Sequence, residues 1–490
     1  MLISNDEQQL QSVANRISHE YNVKTRIVIA DFTKDNFYEI IKLEVEQLST
    51  IACLVNNVGI IIPFGLFAGE IESPDEQSIR NVIHCNTLST ALMTSIVLPK
   101  MLTQNGSNPG IINIASFCGL KVFPYATIYA ATKAFIIQFA KCLAAENYSK
   151  KNIIIQTVCP IFVSTQMNNF RKISYFTPTP QVFAKSALDM FGVDQLTTGY
   201  FPHELKAFVY NVLPTSLWIK LIEAGEWAIV TGASAGIGEA YSEELAKEGL
   251  NLILISNDEE QLQSVADRIS HEYNVKTRIV VADFTKDDFH EIIKLEVEQL
   301  STIACLVNNV GMILPLSLFA GEIQSPDDQS IRNIIHCNIL STALMTSIVL
   351  PKMLTQNGGS NPGIINIATY AGMKPFPYAT MYAATKAFII QFAKCLAAEN
   401  YSTKNIIVQT VCPIFVSTKM NNFRKISYFT PTPQVFAKSA LDMFGVDQLT
   451  TGYFPQQLKA FVYDLLPTSL WIKLIEGIFD PRRKRRRKVE

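Results

Sequence analysis

The chain is short of the features that mark several protein classes. It has nine cysteines in 490 residues, and none forms a C-x-x-C pair. That excludes zinc ribbons and disulfide scaffolds. Most of the thiols lie in apolar runs, such as Cys305 in IACLVNN and Cys412 in IVQTVCP, as buried reduced cysteines do. No metal site is expected. Excess charge is also lacking: 42 Lys+Arg oppose 43 Asp+Glu, for a net charge of −1. A nucleic-acid partner is therefore not expected. No uninterrupted apolar run reaches the roughly 18–20 residues of a spanning helix. The opening MLISNDEQQL has no secretory-leader pattern. What the chain does have is apolar material. Hydrophobic residues make up 48% and charged ones 17%, enough for large buried cores. The length suits about two to four domains.

The dominant feature is a duplication. Residues 2–223 recur as 254–476 with about one difference in nine positions, a single insertion falling in QNGGSNPG. The expected division is a first copy over 1–223, a second over 224–480 and a basic tail over 481–490. Copy 2 alone is preceded by GEWAIVTGASAGIGEAYSEELAKEGLN, residues 225–251. No Gly/Ser-rich or Pro-rich linker separates the copies.

Copy 2 alternates apolar strands with helical stretches. Strands are predicted at WAIV (227–230), NLILIS (251–256), TRIVVADF (277–284), IACLVNN (303–309), GIINIAT (363–369) and NIIVQTV (405–411). Helices are predicted at 237–248 and across EEQLQSVADRISHEY. Continuous apolar strands with helices between them imply a doubly wound parallel α/β sheet, Rossmann-like, in two tandem copies.

Four groups of residues carry chemistry. The first is the run Thr231-Gly232-Ala233-Ser234-Ala235-Gly236-Ile237-Gly238, which follows a strand and opens a helix. Glycines there let the backbone approach a pyrophosphate, and the helix start offers N–H groups to it. The second is Asp283 in ADF and the Asn308–Asn309 pair in LVNNVG, both at strand ends. Asp283 is placed to accept from an adenine amino group or to serve as a helix N-terminal acid. Asn309 suits a backbone brace. The third is Tyr382-Ala-Ala-Thr-Lys386, repeated as Tyr129 and Lys133. Spacing i, i+4 puts phenol and ammonium on one helix face. An adjacent ammonium is expected to lower the phenol's pKa for proton transfer. The fourth is a strand-end hydroxyl thirteen residues before each tyrosine, Ser116 in copy 1 and Thr369 in copy 2.

Together these motifs resemble the short-chain dehydrogenase/reductase family. The similarity is narrower to the branch of very-long-chain 3-oxoacyl-CoA reductase and 17-beta-hydroxysteroid dehydrogenase types 3 and 12. GEWAIVTGASAGIGEAYSEELA, ADF, LVNNVG, YAATKAF, CPIFVSTKM and TTGY carry it. The resemblance spans copy 2 and copy 1 from its second strand onward. It implies Tyr382 as general acid/base, Lys386 on the nicotinamide ribose, Thr369 in the serine role and Asn338 holding a relay water. The same roles fall on Tyr129, Lys133, Ser116 and Asn86 of copy 1. It implies cofactor contacts along Thr231–Gly238, Ser234 and Ile237 included, and at Asp283, Asn309, Lys386, Pro413 and Thr418. The cofactor would be NADP, with NAD an alternative. Ser256-Asn257 lacks the strand-tip carboxylate that holds an unphosphorylated ribose, but also the basic residue usual in this branch, and Asp258 stands close by.

A lipid substrate follows, a 3-oxoacyl thioester or a ketosteroid, with roles in fatty acid biosynthesis or steroid metabolism. So does association with the endoplasmic reticulum membrane, the cytoplasm being the alternative. Family habit suggests a homodimer or packing between the copies. Copy 1, without the first strand and glycine loop, reads either as a non-catalytic partner or as the product of fusing two adjacent genes. Thr369, Asn257 and copy 1 also suit a pseudoenzyme that binds a dinucleotide without turnover. The closing LPTSLWIKLIE of each copy fits a membrane-surface helix, a dimer-packing helix or a lid over an oily pocket. In PRRKRRRKVE, Arg487 and Lys488 match a reticulum retrieval address; nuclear import, anionic lipid and a solvated tail are the alternatives.

Overall fold

The computed structural model describes residues 1–479, apart from 35–36, 63–73, 105–107, 122–125, 148–152, 166, 168–172, 174–176, 204–224, 316–325, 357–361, 402–405, 422–424 and 446. The basic tail and the first LPTSLWIKLIE segment lie outside the described residues.

Thirteen strands are described. Copy 1 contributes β1 (Leu2–Ser4), β2 (Ile27–Ile29), β3 (Cys53–Asn56), β4 (Gly110–Ile114), β5 (Ile154–Val158) and β6 (Leu196–Thr197). Copy 2 contributes β7 (Trp227–Thr231), β8 (Asn251–Ser256), β9 (Thr277–Val281), β10 (Ile303–Asn308), β11 (Gly363–Ile367), β12 (Ile407–Val411) and β13 (Leu449–Thr450). The copy 2 strands form one parallel sheet in the order β13-β12-β11-β10-β7-β8-β9. The chain winds outward from β7 in one direction, then returns to β10 and winds in the other. The crevice beyond the carboxyl ends of β7 and β10 is therefore the topological switch point where ligands bind. β7 and β10 are buried at every residue, because helices cover both faces of the sheet. Their unbroken apolar runs were legible for that reason. β9 and β11 stop short of the expected limits, which leaves Asp283 and Thr369 in the turns that follow.

Copy 1 forms two separate sheets, β1-β2 and β3-β4-β5-β6. No counterpart of β7 joins them, so among the described residues β3 pairs only with β4. The consequence shows in equivalent side chains. Val307 in β10 is fully buried, whereas Val55 in β3 is 53% exposed.

The copies pack on each other through the helices Thr127–Asn147 and Thr380–Tyr401, and the contacts are reciprocal. Thr127 donates to Glu399, and Thr380 donates to Glu146. The start of each helix thus meets the end of the other, and the pair is antiparallel. Gln138 Nε2 donates to the Ala371 and Lys374 carbonyls at 3.1 and 2.7 Å. Gln391 Nε2 does the same to Cys118 and Lys121 at 2.9 and 2.8 Å. His84 and His336 meet Nε2 to Nε2 at 3.2 Å. This is an isologous, pseudo-two-fold interface within one chain.

Three segments, Glu76–Thr103, Thr127–Glu146 and Asp328–Thr355, are long and apolar enough by composition to cross a membrane. They are 83%, 83% and 78% buried inside the protein. A helix covered by a sheet on one side and by a second copy on the other is apolar all round.

Candidate active site

The glycine loop is built by exclusion. A Cβ at Gly238 would overlap the Gly232 carbonyl oxygen, and one at Gly236 would press on Thr418 Cγ2 at 3.4 Å. Gly232 and Gly236 hold positive φ of 65° and 64°, which only glycine adopts without strain. Thr231 closes the switch point: its hydroxyl accepts from the Asn309 and Val310 N–H groups at 3.0 Å each and donates to the Val307 carbonyl. Asn309 Nδ2 returns bonds to the Thr231 and Gly232 carbonyls at 2.9 and 3.2 Å. Asn308 instead points inward, its amide donating to Asn366 Oδ1 at 3.0 Å. The helix Gly236–Lys247 starts with no side-chain cap from Ala235. A bare glycine cradle on an uncapped helix start fits a pyrophosphate.

Other expected cofactor contacts are occupied locally. Asp283 accepts from the Thr285 N–H at 3.0 Å and its hydroxyl at 2.7 Å, with Lys286 Nζ at 4.0 Å. Through Oδ1 it clasps the turn after β9. Ser234 and Ser256 share a hydroxyl contact of 2.8 Å at the tip of β8. Asp258 caps the next helix by accepting from the Gln261 N–H at 3.1 Å, so it is not a free strand-tip carboxylate. Asn257 is exposed beside it.

Tyr382 and Lys386 sit on the helix Thr380–Tyr401, as the spacing predicts. Lys386 Nζ stands 5.8 Å from the Tyr382 ring centroid and donates to the Ile367 carbonyl at 3.0 Å. The expected lowering of the tyrosine does not appear. Burial pushes Tyr382 up to about 12, and burial also pulls Lys386 down to about 8. The ammonium is spent on a backbone carbonyl and is itself desolvated, so it does not offset the phenol's burial. Asn338 lies in a π-helical turn, His336–Leu340. Its side chain clamps Met312, accepting from the N–H at 2.7 Å and donating to the carbonyl at 3.0 Å, and it also donates to Thr385. Thr369 Oγ1 donates to the Pro413 carbonyl at 3.0 Å.

One cavity of about 890 Å³ gathers these groups. Ile237, Asn309, Thr369, Tyr382, Lys386 and Thr418 all line it. Trp471, Ile475 and Phe479 of the helix Thr468–Phe479 close over it. The Tyr370 hydroxyl donates to Asp464 at 2.6 Å, and Trp471 Nε1 donates to the Pro375 carbonyl at 2.6 Å. Of the three readings of LPTSLWIKLIE, this arrangement in copy 2 is the lid. The available signal was the alternation of Trp471, Ile475 and Phe479 at helical spacing.

Copy 1 assembles the same side chains. Lys133 Nζ donates to the Ile114 carbonyl at 3.0 Å and lies 5.5 Å from the Tyr129 ring centroid. Asn86 clamps Ile60 as Asn338 clamps Met312. Ser116 lies 2.8 Å from Cys118 Sγ and hydrogen-bonds Tyr129.

Comparison with known proteins accounts for this plan. The family profile described as short chain dehydrogenase matches residues 1–174 and 226–427. The chain is a short-chain dehydrogenase/reductase, written twice. Such an enzyme acts on CH–OH groups with a nicotinamide dinucleotide. Its relatives include the very-long-chain 3-oxoacyl-CoA reductase of Rattus norvegicus, 40% identical over 262 residues, 53% of this chain and 82% of that protein. The human 17-beta-hydroxysteroid dehydrogenase type 3 is 40% identical over 258 residues, 53% of this chain and 80% of that protein. Among solved structures, a 7beta-hydroxysteroid dehydrogenase covers 52% of this short-chain dehydrogenase and 99% of its own chain, with TM-score 0.46 and 20% identity.

Proposed function

We propose that copy 2 reduces a ketone carbonyl on a lipid, a 3-oxoacyl thioester or a ketosteroid, to the alcohol. The supporting observation is that a single cavity joins the glycine loop to Tyr382 and is closed by an oily helix. A bound nicotinamide dinucleotide would supply the hydride. The chain's residues do the rest. Gly232–Gly238 receive the pyrophosphate, and Asn309 fixes the crevice wall. Tyr382, whose burial keeps it protonated at neutral pH, donates its proton to the carbonyl oxygen as charge develops there. Lys386 steadies that charge and meets the ribose. Trp471, Ile475 and Phe479 exclude water and take up the apolar chain. NADPH is favoured over NADH, because Asp258, next but one to the tip of β8, is engaged as a helix cap.

The outer side of the lid supports a membrane-surface reading. Phe454, Leu458, Phe461, Val462 and Leu465 lie on one exposed helix face, and Leu470 and Ile478 are exposed beyond them. A face of this kind beside the cavity mouth suits substrate drawn from a bilayer of the endoplasmic reticulum.

The test is NADPH oxidation by the full chain, supplied with long-chain 3-oxoacyl-CoAs and ketosteroids in turn. Turnover with one class is expected, together with a preference over NADH. A second reading is a dinucleotide-binding protein without turnover, favoured by the engagement of Thr369 Oγ1 with Pro413 instead of a substrate oxygen. Bound NADPH with no oxidation across the panel would select it.

A further inference from the structure

In copy 2 the stretch that runs from the strand-end hydroxyl to the phenol, residues 370–381, is held from the other copy. Three residues of the helix Thr127–Asn147 reach it, and they stand at i, i+4 and i+8, on one face of that helix. Gln138 donates to the Ala371 and Lys374 carbonyls. Cys142 Sγ accepts from the Phe376 N–H at 3.2 Å. Glu146 Oε1 accepts from the Tyr378 N–H at 3.2 Å and from the Thr380 hydroxyl. The same stretch walls the copy 2 cavity through Tyr370, Ala371, Phe376 and Ala379. One face of a copy 1 helix therefore backs one wall of the copy 2 site.

The Glu146 contact stands closest to the chemistry. Tyr378 has a φ of 69°, in the left-handed region. A bulky residue stays there only where its surroundings hold it. Tyr378 is buried, and it lines a small pocket together with Tyr382, Leu314 and Pro315. The helix that carries Tyr382 begins two residues later, at Thr380, and the Ala383 N–H bonds back to the Ala379 carbonyl at 2.9 Å. Glu146 thus grips the chain on both sides of Ala379, where a strained turn becomes the first turn of that helix. The placing of this turn sets the placing of the phenol. The reciprocal contact joins Thr127 of copy 1 to Glu399 of copy 2. It is the same pair of residue types in the same interface, but it lies at the start of the other helix.

We propose that Glu146 is a positioning residue for the copy 2 site: from the other copy it holds the left-handed turn at Tyr378, and so sets where the Tyr382 hydroxyl meets a substrate carbonyl. The kinetic side of this assignment rests on copy 2 as the reductase site; the positional side does not. It makes copy 1 a working part of the copy 2 site, independent of any ligand in copy 1.

The experiment compares Glu146→Ala, Glu146→Gln and Glu399→Ala in the full chain, by NADPH oxidation with 3-oxopalmitoyl-CoA and by hydrogen exchange over residues 376–384. NADPH binding and circular dichroism confirm that each variant is folded. Glu146→Ala should lower kcat about tenfold to a hundredfold through misplacement of the phenol, leave NADPH affinity within about twofold, and speed exchange over 376–384. Glu399→Ala should lower the melting temperature as much, yet leave kcat and the exchange of that segment unchanged. Glu146→Gln keeps an acceptor oxygen and should restore most of the rate. The proposal is overturned if folded Glu146→Ala keeps both kcat and the protection of 376–384, if Glu399→Ala loses kcat to the same extent, or if Glu146→Gln is as impaired as Glu146→Ala. A wild-type chain that does not oxidise NADPH with this probe counts against the reductase reading alone, and the exchange of 376–384 in the three variants then decides the positional assignment.

Discussion

The two halves of this chain share a Tyr-x-x-x-Lys pair, an Asn clamp and a strand-end hydroxyl, while the glycine loop stands, among the described residues, in copy 2. The comparison separates two things that family motifs usually deliver together. The Tyr-x-x-x-Lys side chains are set by a long buried helix and its neighbours, which keep the same arrangement in both copies. The glycine loop of copy 2 is set by β7 and the helix after it. A second difference is concentrated around the strand-end hydroxyl: Ser116, Phe117 and Cys118 face Thr369, Tyr370 and Ala371. Tyr370 latches the lid through Asp464, and copy 1 has Phe117 and Asn211 at those positions. Among the described residues, this contact stands in copy 2.

The sharpest way to break this contrast is at the phenol. Tyr382→Phe should cut steady-state NADPH oxidation by about 10²–10⁴-fold while leaving NADPH affinity near normal. The same change at Tyr129 ranks the copies, and a comparable loss there would move turnover to copy 1. Next in size is Gly238→Ala. A methyl against the Gly232 carbonyl displaces the cradle and should weaken NADPH, followed by fluorescence titration, by about a hundredfold.

The interface comes third. Glu146 of copy 1 accepts from Thr380 and from the Tyr378 N–H of copy 2, two turns or less before Tyr382. Glu146→Ala removes the acceptor of two buried hydrogen bonds at a cost of about 2 kcal/mol. In calorimetry the melting temperature should fall by about 4–8 °C, and kcat should fall with it. If stability drops while kcat holds, copy 1 is a scaffold that does not position the site.

The pH dependence follows from burial. Below about pH 8 Lys386 carries its proton, and above it the ammonium is lost, while Tyr382 at about 12 stays protonated throughout. The kcat/KM for reduction should therefore be flat below about pH 8 and decline above it. Lys386→Arg, with a side chain that stays charged, should remove the decline. A profile unchanged in the arginine variant would assign the limb to another group. The smallest expected effect is Thr369→Ser, which restores the copy 1 residue. Freed of the methyl that restricts its rotamer, the hydroxyl can leave Pro413 for a substrate oxygen, and kcat should rise by about twofold to tenfold.

Much of this was legible in the residues. The strands of copy 2 are unbroken apolar runs because both faces of a parallel sheet are covered, and the glycine run could be placed because it falls between such a strand and a helix. Tyr382 and Lys386 share a helix face by spacing alone. Other readings depended on neighbours that no local pattern contains. The Tyr382 phenol was expected to be lowered, but burial raises it. Asp258 stands close to the strand tip in sequence, and in the fold its side chain caps the next helix. Three segments match a membrane span in composition because they are buried between a sheet and a second copy.

Local order in this chain is written in periodicity, glycine placement and duplication, so the fold class and the family could be read from the residue string. Which hydroxyl, carboxylate or ammonium is free to act was decided by packing. A hydrogen bond to a distant carbonyl, the closing of the second LPTSLWIKLIE over its cavity, and the antiparallel pairing of two distant helices depend on residues brought together only by the tertiary fold. Charge and proton affinity follow the solvent that folding removes, and that quantity has no local sequence signature.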